Sequence, residues 1–136
     1  LYTARNAAQE SRFRRALRLL DTWLPLRGAN LHAMPGSNEL PVNVPASRFL
    51  RPFDPRAAFL EPLKLRRITT AMDRAVATGS LFHVWWHPHN FGAHLEENMQ
   101  LLERILAHYA RLRDQHGMES LTMQEVAERA LGRSDA

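Results

Sequence analysis

Phe13, Leu17, Leu20 and Leu24 recur at helical spacing between arginines. That pattern predicts an amphipathic helix over residues 6–24, ending before Pro25. The stretch from Pro25 to about Ser47 holds Pro35, Pro41 and Pro45, with Pro52 just beyond, and Pro35-Gly36 marks a turn. Inside it Leu40, Val42 and Val44 alternate with Pro41, Asn43 and Pro45, a short extended segment that its prolines would confine to a sheet edge. Asp54-Pro55 reads as a helix cap followed by proline at the first helical position. Leu65, Ile68, Met72 and Val76 then share one face of a helix over Leu63–Ala77, with Pro62 before it and Gly79 as its stop.

Leu81–His87 is a β-branched and aromatic run bounded by Gly79-Ser80 and Pro88, the signature of a buried strand. The next helix is the most regular of the chain: Leu95, Leu102, Ile105, Leu106, Tyr109 and Leu112 repeat over residues 94–116, and Gly117 stops it. A short extended piece, Glu119–Leu121, precedes Thr122 and Glu125, which match a capping box opening a last helix to about Leu131. Strands alternating with helices define an α/β chain whose strands pair in parallel through right-handed crossovers. About three short parallel strands are few for a complete domain of this class, so residues 1–136 are expected to form a single, partial domain.

The chain has 136 residues, 45% hydrophobic and 24% charged, one domain's worth with enough apolar surface for a core. No window reaches the ~18 uninterrupted apolar residues of a membrane span, and no signal peptide is visible at Leu1. With no cysteine, disulfides, thiol nucleophiles and thiolate metal sites are excluded. The net charge of +4 is uneven: residues 1–27 carry six Arg against two acids, and residues 91–136 five Arg against eight acids. Arg12, Arg14, Arg15 and Arg18 would serve a nucleic-acid binder, although such a stripe is more often a solvated face.

Candidate chemistry concentrates in His83-Val84-Trp85-Trp86-His87-Pro88-His89-Asn90-Phe91-Gly92, which gathers three of the seven histidines and two of the three tryptophans. On a strand, Phe82, Val84 and Trp86 face one way, as an apolar side under helices, while His83, Trp85 and His87 face the other. Ligands bind at the C-terminal ends of parallel strands, where His87, His89 and Asn90 fall. His83 and His87 have the spacing of a helical metal pair, but extended backbone holds them roughly 13 Å apart at ~3.3 Å per residue, too far to share an ion. General acid catalysis needs one imidazole near neutrality, and His87, nearest the strand end, is best placed. His83, Trp85, His89 and Asn90 are candidate substrate contacts. The bland alternatives are a hydrogen-bonded core histidine and core tryptophans. His32, His94, His108 and His116 read as structural or solvated. No G-x-S-x-G, phosphate loop or dinucleotide fingerprint is present.

The segments Val44–Pro52, Leu81–Gly92, Asn98 with its leucine-rich helix, and Leu121-Thr122-Met123 resemble the C-terminal part of polysaccharide deacetylases of the NodB-homology type, over about Arg15 to Ala130. The resemblance implies the C-terminal part of a distorted (β/α) barrel that removes acetyl groups from amino-sugar glycans. It also implies a divalent, zinc-like metal held by one Asp and two His, a catalytic Asp as base and a late-strand His as acid. Only that last residue has a counterpart here, His87. His83-x-x-x-His87-Pro88 also matches the family's metal-binding histidine pair literally, but its place late in the chain argues against that role. The paired-Asp motif is absent, so no metal ligand is assigned, and the catalytic N-terminal half is expected to precede Leu1. The chain alone is then expected to be inactive. Its partners would be an acetylated glycan and the remainder of the barrel, in the cytoplasm or envelope of a bacterium. A non-catalytic glycan-binding or interaction module is the alternative.

Overall fold

A computed structural model describes residues 21–23, 28–36 and 41–132. The predicted helix over residues 6–24 and the arginine stripe within it therefore lie outside the described residues, apart from a turn at 21–23. Along the described chain run β1 (Arg48–Phe49), a 3-10 turn (Pro55–Leu60), α1 (Glu61–Thr78), β2 (Val84–Trp85), a second 3-10 turn (Pro88–Phe91), α2 (Leu95–His116) and α3 (Met123–Ala130). The chain is helix-rich α/β with a small parallel sheet.

Local signals set the helix ends. The Asp54 carboxylate accepts the Arg56 amide at 3.0 Å before Pro55 opens the first 3-10 turn. Gly79 and Gly117 stop α1 and α2 at φ 59 and φ 68, left-handed angles that glycine adopts without the Cβ clash. In front of α3 the capping box is complete: Thr122 Oγ1 accepts from the Glu125 amide at 3.2 Å, and Glu125 Oε2 accepts from the Thr122 amide at 2.6 Å.

α1 and α2 pack side by side through Ile68, Met72, Leu101, Ile105 and Leu112, and Leu50 and Phe91 join that core from the strand ends. Phe82, Val84 and Trp86 pack against the same cluster, as period-2 alternation requires of a strand with one face under helices. β1 and β2 run parallel with Arg48 opposite Val84 and Phe49 opposite Trp85. The ladder is made by the Arg48 amide donating to His83 O at 3.0 Å and the Leu50 amide to Trp85 O at 2.9 Å.

Three expectations about strands are corrected. The predicted extended segment Leu40–Pro45 begins outside the described residues, and its described part, residues 41–45, does not pair; the ladder starts at Arg48. Pro41 and Pro45 carry no amide proton, so a continuous row of donors exists only beyond them. Of Leu81–His87 only Val84–Trp85 is strand, with Leu81 held in an isolated antiparallel bridge to His32. Glu119–Leu121 is not a strand; it is a short link between the left-handed turn at Gly117 and the Thr122 cap, and Glu119 bonds Arg129 of α3 rather than a strand. Two parallel strands, not three, are therefore found among the described residues.

Buried charge ties β1 to α1. Arg67 Nη2 donates to Asp21 Oδ1 at 2.8 Å, and Arg48 Nη1 donates to Asp21 O at 3.2 Å. Burial first, and Arg67 second, push the Arg48 guanidinium down to about 10, with Asp21 pulling the other way. It therefore stays charged at neutral pH. Lys64, also buried, donates to the Arg51 carbonyl at 3.0 Å and pairs with Glu61 at 2.8 Å, anchoring the loop that leaves β1.

Candidate functional site

Both strands point their C-terminal ends at two loops, 50–54 after β1 and 86–94 after β2. The ladder ends at Trp85, and Pro88, which fixes φ and lacks an amide proton, turns the chain just beyond His87. The Asn90 amide closes that turn on His87 O at 3.0 Å. Phe91 then returns to the core, buried and stacked on Trp86 at 5.9 Å and 15°. The loop is thus anchored on its apolar residues, and its histidines are left outside.

On the face away from the helices an aromatic row forms. Phe49 and Trp85, opposite each other in register, meet at 4.7 Å. His87 stands edge-on to Trp85 at 5.0 Å and 88°, and stacks with His89 at 5.1 Å and 20°. Trp85 is 37% exposed, and His87 and His89 are exposed. No hydrogen bond to the His87 ring is found among the described residues. A broad π-face margined by imidazole nitrogens can lie against an apolar ring face and hydrogen-bond the polar groups at its edge.

Of the residues singled out by sequence, Trp85, His87 and His89 are brought together through their rings, and Asn90 joins through its backbone. His83 is not in the row. Its amide donates to Ser47 Oγ at 3.0 Å, its Nδ1 is buried without a partner, and its ring makes no aromatic contact with Trp85 or His87 among the described residues. It lines a cavity of about 580 Å³ instead, along with Met34, Met72, Tyr109, Met118 and Met123. That cavity is walled mainly by α1, α2 and α3, with His116, Glu119 and Arg129 also in its lining, and of the sequence-predicted site residues it takes only His83.

Sequence reasoning gave no site role to Phe49, Phe53, His94 or Asn98, although His94 was read as structural or solvated and Asn98 carried part of the family resemblance. Asn98 is 1% exposed. Its Oδ1 accepts from the Phe53 amide at 2.6 Å, and its Nδ2 donates to His94 O at 2.8 Å and Phe91 O at 3.4 Å. One side chain on α2 thereby joins both strand-end loops. Phe53 in turn meets His94 edge-on at 5.4 Å and 68°. A polar residue among the apolar positions of a helix was the available signal for Asn98; strand register, which brings Phe49 to Trp85, leaves none. His108, read as structural or solvated, bonds Asp73 at 2.7 Å between α2 and α1.

Among the described residues no three His, Asp or Glu side chains gather as metal ligands, so a divalent metal does not fit this donor set. No helix among them is long and apolar enough to cross a membrane. Compared with protein-family models, curated proteins and solved structures, the chain matches none.

Proposed function

We propose that these residues form the C-terminal portion of a carbohydrate deacetylase with a distorted (β/α) barrel, and that His87 is its general acid. The observation that carries the reading is the place of His87: exposed at the C-terminal end of a parallel strand, edge-on to an exposed tryptophan. Ligand sites of parallel α/β folds lie at that end. The sheet itself supports a partial domain, since parallel sheets are ordinarily covered on both faces, while among the described residues this one has two short strands and leaves Trp85 37% exposed.

In the proposed reaction a water oxygen adds to the acetyl carbonyl carbon and the bond to the sugar nitrogen or oxygen breaks. A base from chain outside these residues takes the water proton, acetate is released, and the sugar nitrogen or oxygen takes a proton from the His87 imidazolium. Trp85 and Phe49 present a flat face to the sugar, with His89 and Asn90 beside it. The base and the metal of the resembled family have no candidates here and would come from chain outside these residues.

His87→Ala in the full-length protein is expected to lower turnover by about 10²–10⁴, the usual contribution of a general acid, with metal content unchanged. Loss of bound metal together with activity would make His87 a ligand and end the acid assignment. A second reading, a glycan-binding module without catalysis, is favoured by the exposed Trp85 alone. Saturable binding of acetylated oligosaccharides with no acetate released by the full-length protein would establish it instead.

A further inference from the structure

Protein interiors are ordinarily filled to the density of organic crystals, yet α1, α2, α3 and the start of β2 leave about 580 Å³ between them. That volume lies within the ~300–1,000 Å³ of small-molecule pockets. Four of the five methionines in the sequence, Met34, Met72, Met118 and Met123, line it. Met34 and Met123 are exposed, as is Leu106, another lining residue. Large apolar side chains left exposed around a concave space mark a binding surface rather than a finished core.

The wall suits an aromatic, uncharged ligand. Thioethers make favourable contacts with aromatic rings, and Phe82 and Tyr109 add π-faces to the same wall. Glu119 and Arg129, the acid and the arginine of the lining, bond each other at two points, so neither calls for a charged partner. His116 is exposed at the end of α2 and open to water. His83 differs: its Nδ1 is buried and has no hydrogen-bond partner among the described residues. Buried polar atoms are ordinarily paired, and a hydroxyl group, both donor and acceptor, satisfies an imidazole nitrogen in either tautomer. Neighbouring atoms cover Nδ1, so a ligand reaches it by displacing lining side chains. Methionines, unbranched with three rotatable bonds, yield most readily.

We propose that this cavity binds a neutral aromatic molecule carrying a hydroxyl group, with its rings among the methionines and its hydroxyl on His83 Nδ1. The site is separate from the row of Trp85, His87 and His89, none of which lines it, and it does not depend on the deacetylase reading.

2-Naphthol and 2-methylnaphthalene match in heavy-atom count and differ in the hydroxyl group. Titrated into the full-length protein and followed by ligand fluorescence, 2-naphthol is expected to saturate. It should bind about five- to tenfold more tightly than 2-methylnaphthalene, the worth of one hydrogen bond. His83→Phe, which keeps a ring in place, is expected to erase that preference. Leu106→Glu, at an exposed lining position, sets a charge against the ligand and should weaken both compounds at least about tenfold. Phe59→Ser, exposed but outside the lining, should weaken neither. The proposal is overturned if 2-naphthol does not saturate, if the two compounds bind equally well, or if Phe59→Ser abolishes binding and Leu106→Glu does not. Should His83→Phe fail to fold, the pair of compounds on the unmodified protein decides the matter.

Discussion

Asn98→Ala tests whether one buried amide holds the two strand-end loops together. The substitution removes the acceptor of the Phe53 amide and the donor to His94 O and Phe91 O at a position 1% exposed. A buried donor left without an acceptor costs about 1–3 kcal/mol. The carbonyls lose less, since His94 O keeps its bond from the Asn98 backbone amide. The vacated volume adds a cavity of a few heavy atoms, on the order of 1 kcal/mol. The expected loss is about 2–4 kcal/mol, read as a lower urea midpoint at unchanged slope.

Asn98→Asp sharpens the argument. It keeps an acceptor for Phe53 but turns a carboxylate oxygen toward two carbonyl oxygens, so burial and repulsion raise the folded-state pKa above the ordinary ~3.9. A group with a raised folded pKa stabilises fully below its unfolded value and loses that contribution as pH rises through the folded one. The Asp variant should therefore be nearest to the unmodified protein at acid pH and fall behind as pH rises above about 4. A loss under 1 kcal/mol in the Ala variant, or an Asp variant with no pH dependence of its deficit, would refute the role given to Asn98.

Asp21→Asn should destabilise the chain by about 3–5 kcal/mol, since it strands two buried guanidiniums without their shared carboxylate; adding Arg67→Met should recover part of that loss in urea unfolding. Thr122→Ala removes the capping box of α3 and should cost about 1 kcal/mol, with amide exchange quickened in residues 123–130 and little altered in α1.

The helices were legible because their signals are local. Asp54-Pro55, Gly79, Gly117 and the Thr122–Glu125 box each act within one turn of chain, and each lies where the pattern put it. The apolar side of the strand was equally readable: Phe82, Val84 and Trp86 do face the core, because alternation follows from backbone geometry alone. Strand pairing was not, since a ladder depends on which distant segment offers donors in register, and Pro41 and Pro45 moved that segment to Arg48–Phe49.

The histidine-rich loop could be named from its composition, yet its working face could not. His87 lies against Trp85 and His89, while His83 turns to a cavity among the helices; the turn at Pro88 and the return of Phe91 to the core leave His87 and His89 outside. Phe49 lies 36 positions from Trp85 and Phe53 lies 45 from Asn98, and only packing makes them neighbours. Side-chain periodicity and caps are short-range and so are written along the chain; contacts between elements form where loops close and cores fill, and three dimensions decide them.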